Sequence, residues 1–182
     1  MKKVLVVVDM QHDFIDGALG SADARQIVDN VAEKIKGFDG DIVFTMDTHS
    51  EKYLTTQEGY KLPVPHCIKD TDGWALNDVV CVATKQKRVG YKVFMKDTFG
   101  SMELAKFLAD HQYCYVEFVG LCTDICVISN AMLAKASVPE AKIVVDASCC
   151  AGVTQESHKN ALAAMSQCQI EIVNYNILNK DS

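Results

Sequence analysis

The sequence predicts one α/β domain built on a mainly parallel sheet with helices on both faces. Three observations lead there. Apolar runs of strand length alternate with segments of helical period along the chain. The first run is solidly apolar, as in a strand buried on both faces. The 182 residues suffice for one well-buried domain and are too few for two comfortable ones.

The opening run, Lys3 to Asp9 (KVLVVVD), is the first strand. Residues 23–36 place Ile27, Val28, Val31 and Ile35 on one helical stripe. Residues 41–47 (DIVFTMD) form a second strand. The rhythm then breaks across 48–73, where no period is sustained; a loop of that length in a compact domain usually has a job. Alternation resumes with a strand at 91–96, a helix at 101–111 and a strand at 113–119. A helix at 124–137, a strand at 141–146, a helix at 154–168 and a last strand at 169–173 complete the series. Six strands with helical crossovers give a mainly parallel sheet covered on both sides. Repeats, low-complexity stretches and linkers are lacking, so residues 1–182 read as one domain.

Composition narrows the function. An apolar share of 49% and a charged share of 23% are those of an ordinary globular protein. A net charge of −6 disfavours nucleic-acid binding. No stretch approaches the roughly 20 apolar residues of a membrane span. The N-terminal apolar run is only six residues before an aspartate, too short for a signal peptide, so the eight cysteines read as reduced thiols of a cytoplasmic protein. Cys67, Cys81, Cys114, Cys149 and Cys168 sit singly in or beside apolar runs, where a thiol behaves as a small core residue.

In such sheets ligands bind beyond the carboxyl ends of the strands. The first four strands end on, or run into, chemically active residues: Asp9, then Asp47 with His49, then Lys96, then Cys126 beyond Gly120. Thr123 is a candidate N-cap that places Cys126 in a first helical turn, where free amides favour a thiolate; the alternative is a cysteine that only packs helix against sheet. Asp9 either caps a turn or serves as an acid/base group with a pKa raised by burial. Lys96 either snorkels from the sheet edge or offsets charge beside a thiol and a carboxylate. Asp47, His49 and His66, with Glu58 between, either hold a divalent metal (Zn²⁺, Fe²⁺ or Mn²⁺) or merely cap and solvate the long loop. His12, His111 and His158 show no partner and read as surface or helix-packing residues, and the adjacent Cys149 and Cys150 as bystanders.

The set VVVDMQHDF, TMDTH, PHCIKDTDGW, VFMKDTFGS and GLCTDICV resembles the isochorismatase-like cysteine hydrolases, and within them the nicotinamidase branch. The resemblance implies a three-layer α/β/α fold of strand order 3-2-1-4-5-6, which sets strands one and four side by side. It implies an Asp9, Lys96 and Cys126 triad, a cis peptide at Leu121–Cys122, and an oxyanion held by the Cys122 and Cys126 amides. It also implies one divalent metal, zinc first among the choices, on Asp47, His49 and His66, with Glu58 as a further ligand, and no organic cofactor. Metal ligands favour an amide over the vinyl ether of isochorismatases proper. Phe14 and Gln11, with Trp74, are the expected substrate-pocket residues. One departure stands out: Pro63 occupies the position where nicotinamidases carry an aromatic residue that stacks on the pyridine. The expected activity is therefore hydrolysis of nicotinamide or, failing that, of another small amide, carbamoyl or ureido compound, with a metal-free vinyl-ether hydrolase as the remaining alternative. The contrasting class is a non-catalytic binding protein on this scaffold. A homodimer or homotetramer is the expected assembly, with neither nucleic acid nor membrane as partner.

Overall fold

The structure is a computed structural model and describes residues 2–87 and 91–175. Its order is β1 (Lys3–Val8), α1 (His12–Ile15), α2 (Ala22–Gln26), α3 (Val28–Gly37) and β2 (Asp41–Asp47), then α4 (Gln57–Lys61), α5 (Asp78–Lys87), β3 (Tyr91–Lys96) and α6 (Met102–His111). The chain ends with β4 (Tyr115–Leu121), α7 (Ile128–Ser137), β5 (Lys142–Ala151), α8 (Gln155–Gln167) and β6 (Glu171–Val173). The six strands run β3-β2-β1-β4-β5-β6 and every pairing is parallel. The expected order holds.

Strand β1 sits in the middle and shows why the layers form. Its side chains alternate between two cores: Val4, Val6 and Val8 face the layer of α6, α7 and α8, while Leu5 and Val7 face that of α3 and α5. All five are fully buried, each worth about 2 kcal/mol relative to exposure. No described helix is long and apolar enough to cross a membrane.

The elements depart from expectation in ways the side chains explain. The stripe of 23–36 is carried by two helices that bend at Ile27, which remains buried, so the apolar face survives the break. Helix α5 was not foreseen, because Val79 and Val82 are exposed and blur its period. The 48–73 loop contains a 3-10 turn at Tyr53–Thr55 and helix α4, each too short for periodicity to register. Strand β5 runs on to Ala151 after a register shift, which carries Cys149 and Cys150 into opposite cores. Strand β6 begins two residues late because Gln169 takes a left-handed φ of 65°. All eight cysteines are free.

Two backbone features bring the strand ends together. Asp9 leaves β1 in the left-handed region, φ 47°, so its side chain breaks from the alternation of the strand. Gly120, opposite Val8 in the register, has φ 117°, and a Cβ there would lie 2.1 Å from the Val8 carbonyl oxygen. Only glycine permits that approach of β4 to β1. The Leu121–Cys122 peptide that follows is cis.

Candidate active site

Asp9, Lys96 and Cys126 meet at the carboxyl edge of the sheet. Lys96 closes β3 beside Asp47 of β2, and its ammonium lies 2.6 Å from Asp9 Oδ2, 3.5 Å from Cys126 Sγ and 3.4 Å from Asp47 Oδ1. All three members are buried. Burial pushes the Asp9 carboxyl above its usual range, opposed by Lys96 and reinforced by Asp47. Burial, with the Asp9 charge beside it, pushes the Cys126 thiol well up. Burial alone would lower Lys96, but the surrounding Asp9, Cys126 and Asp47 charges raise it, so it stays an ammonium. The Asp9 and Cys126 shifts both run toward the protonated forms, opposite to the thiolate that free amides of a first helical turn would favour.

The local fold of the segment that carries Cys126 also differs. Residues Thr123–Val127 form a π turn whose N-cap is Cys122, without a side-chain cap, before α7 begins. Thr123 is turned inward, its hydroxyl 2.8 Å from His158 Nδ1. His158 is thus buried and partnered, where the sequence showed no partner for it. His12 pairs with Asp16, and His111 with the Phe107 carbonyl.

The metal donor set assembles next to this group. One ligand atom each from Asp47, His49 and His66 lies within 4.8 Å of the others. His49 Nε2 is 3.0 Å and His66 Nε2 3.4 Å from Asp47 Oδ2, and Glu58 Oε1 is 3.7 Å from both imidazoles. His66 Nδ1 lies 2.8 Å from the Val64 carbonyl; donating there fixes the tautomer of the neutral ring, in which Nε2 is the nitrogen left to bind an ion. Burial would raise Asp47, but the imidazoles and Lys96 outweigh it and hold the carboxyl below its usual range. Two imidazoles, an ionised carboxylate and a second carboxylate nearby fit a divalent ion such as zinc.

A cavity of about 500 Å³ opens onto both groups, with Cys122, Cys126, Asp47, Glu58 and His66 on its wall. Phe14, Leu19, Leu62, Phe99, Ile125 and Val153 make most of the rest, so the wall is chiefly apolar. Phe14 is where the sequence suggested, its ring 5.5 Å from that of His66. Gln11 and Trp74 are absent from the wall. The Gln11 amide is consumed in bonds to the Asp47 backbone N–H and carbonyl and to the Trp74 carbonyl. The Trp74 indole donates to Thr48 Oγ1 instead of facing the cavity. At the Pro63 position the proline is exposed, and the neighbouring Leu62 lines the cavity.

Sequence reasoning missed three supporting residues. Thr45 donates to Asp9 Oδ1 at 2.6 Å. Asn130, one turn beyond Cys126, donates to the Cys126 and Phe99 carbonyls and accepts from the Ser101 N–H, tying the Cys126 backbone to that loop. Asp13 Oδ2 accepts from the Cys67 N–H at 2.7 Å and so anchors the segment that carries His66. Asn130 left a signal, a polar residue four positions after Cys126.

Comparison with known proteins places this geometry. A Bacillus subtilis isochorismatase family protein, PncA, is 31% identical over 174 residues, spanning 90% of this chain and 93% of its own. The Mycobacterium tuberculosis nicotinamidase/pyrazinamidase is 27% identical, spanning 94% and 98%. Among solved structures, Bacillus subtilis nicotinamidase/pyrazinamidase PncA matches with a TM-score of 0.83 at 27% identity, covering 94% of this chain and 99% of that one. The Pyrococcus horikoshii pyrazinamidase, solved with zinc, matches at 0.77 and 26% identity, covering 96% and 100%. The isochorismatase domain model spans residues 3–176. With nearly the whole length matched, this chain belongs to the isochorismatase-domain family.

Proposed function

We propose that the protein is a metal-dependent cysteine amidohydrolase that converts nicotinamide to nicotinate and ammonia. The observation that carries this reading is the convergence on one cavity of Cys126, backed by Asp9 and Lys96, and of Asp47 and His66, which share a donor cluster with His49. Relatives named nicotinamidase, matched along most of this chain, support it.

In this mechanism Asp9 takes the Cys126 thiol proton as sulfur attacks the amide carbon, and Lys96 stabilises the charge passed between them. The backbone amides of Cys122 and Cys126 receive the oxyanion. Asp9 returns the proton to the departing nitrogen, ammonia leaves, and a thioester on Cys126 remains. Asp9 then deprotonates a water that attacks the thioester carbon, releasing nicotinate and restoring the thiol. Asp47, His49 and His66, with Glu58 beside them, would hold the ion, zinc by our assignment. When bound, it supplies a Lewis acid to anchor a ring nitrogen of the substrate.

The cavity also bears on the competing substrates. Among the described residues its wall carries the Asp47 and Glu58 carboxylates and neither lysine nor arginine. A neutral amide suits that wall; an acidic ureido compound or a dicarboxylate vinyl ether would find no side-chain cation. We place the activity in the cytoplasm, in NAD salvage, on a homo-oligomer. The test is ammonia release from nicotinamide before and after chelation and metal return. Release that is lost with chelator and regained with metal is expected. An enzyme inert toward nicotinamide yet still alkylated at Cys126 would refute nicotinamide as the substrate.

A further inference from the structure

The metal donor set is reached by two cavities. The apolar one meets Asp47 and His66, while a second, of about 480 Å³, meets His49. Glu58 lines both and stands between them. The second cavity has a different chemistry. Its wall includes Ser50, Gln57, Asp97 and Thr98, and no lysine or arginine among the described residues. Asp97, Gln57 and Thr98 are exposed, so this cavity has a solvent-facing rim.

A hydrated dication travels poorly along an apolar wall, because shedding water without replacement oxygens is strongly unfavourable. Hydroxyls, an amide and two carboxylates supply those oxygens, and the negative rim raises the local concentration of cations. The substrate and its thioester, in the reading above, fill the apolar cavity during turnover. We propose that the polar cavity is the route by which the divalent ion reaches and leaves Asp47, His49 and His66. Asp97 captures the ion at the rim and Glu58 hands it on, independently of the substrate cavity. The proposal rests on the metal-centre reading of these residues.

A route changes rates of loading and release together and leaves the equilibrium affinity alone; a ligand changes the affinity. The experiment follows zinc release to a chromogenic chelator, and zinc uptake by the apoprotein, by stopped flow on the full chain. Equilibrium uptake of zinc is measured first; a protein that takes up none removes the centre and the route with it. In a Cys168→Ser background, Cys126 is then blocked with a bulky maleimide, the adduct being located by peptide mass spectrometry. Release within about twofold of the unblocked protein is expected, against a slowing of about tenfold or more if the ion leaves through the substrate cavity. Filling the polar cavity with Gln57→Trp and Thr98→Trp, both at exposed positions, should slow uptake and release alike by about tenfold with Kd unchanged. Asp97→Asn, which adds no bulk, should slow uptake and release alike by about threefold at low salt and less at high salt, with Kd unchanged. Tryptophan variants that exchange zinc at the wild-type rate, or that weaken Kd instead, would overturn the route while leaving the metal centre standing.

Discussion

Lys96 Nζ lies 2.6 Å from Asp9 Oδ2, and neither side chain has more than a few per cent of its surface exposed. The same ammonium also reaches Cys126 and Asp47, so one cation lies against both the proposed nucleophile and the candidate metal donors. Removing it strands two buried carboxylates. Lys96→Met should abolish turnover and cost about 3–5 kcal/mol of stability by denaturant melting. An active Lys96→Met would show that Asp9 needs no cation to act as base.

Asp9 should set the acid limb of the pH profile. Burial holds the Asp9 carboxyl toward its protonated form, and a protonated Asp9 cannot accept the thiol proton. Activity is therefore present above the folded Asp9 pKa and is lost as pH falls through it, at a value above the ordinary aspartate pKa of about 3.9. Asp9→Asn should lower kcat by about 10³-fold. Cys126→Ala should abolish turnover with a normal melting curve. A limb at the ordinary carboxylate value would place the base elsewhere.

Metal removal should register in stability as well as activity. An ion that binds only the folded state adds about 2.7 kcal/mol at a hundredfold excess over Kd, which for a chain of this size is roughly 5–10 °C in Tm. Chelation should lower Tm by that order, and His49→Ala and His66→Ala should melt low with no response to chelator. Identical melting with and without metal would show that these side chains hold no ion.

How much of this was legible beforehand depends on the distance over which each signal acts. Asp47 and His49 stand at the end of an apolar strand, and the run of β-branched residues before them announces both strand and edge. In the Gly120–Cys126 segment the strand end and Cys126 are legible, while the π turn and the inward-facing Thr123 are not. The supports do not, because they act across the fold. Gln11 sits in the same sequence motif as Asp9, and its alignment with the site suggested a pocket role. Its amide is in fact spent on the backbone of Asp47, thirty-six positions away. Trp74 misled for a related reason: an aromatic in a functional loop looks like a pocket wall until Thr48 is seen to take its N–H. Short elements such as α4, whose Thr56 hydroxyl accepts from the Gly59 N–H, are set by local caps and leave no periodicity to find.

Gly120 is the backbone position with least freedom to change. A Cβ at φ 117° would press on the Val8 carbonyl in the middle of the sheet, and the segment carrying Cys122 and Cys126 follows at once. Gly120→Ala should cost about 2–4 kcal/mol and disable the enzyme even where the protein still folds. Stability within about 0.5 kcal/mol of wild type, by urea melting, would show that β4 can withdraw from β1 without penalty.

Away from the site, Lys34 of α3 bridges Glu117 of β4 and Asp146 of β5 at 2.7 and 2.6 Å, joining a helix to two central strands. Asp146 also accepts from the Ser148 N–H and hydroxyl and from Asn174. Burial would raise Asp146, but Lys34 and these donors prevail and hold it below its usual range. Its contribution is therefore present above the unfolded aspartate value of about 3.9 and is lost as pH falls through the folded pKa. In Lys34→Met the carboxylate loses its cation, its pKa rises, and protonation relieves the unpaired charge well before pH 4. The variant should thus lose about 3 kcal/mol at pH 7, and the gap to wild type should narrow steadily toward pH 4 in urea melts. A gap of constant size would mean that Lys34 holds α3 to the sheet by packing of its methylenes, with the charges incidental.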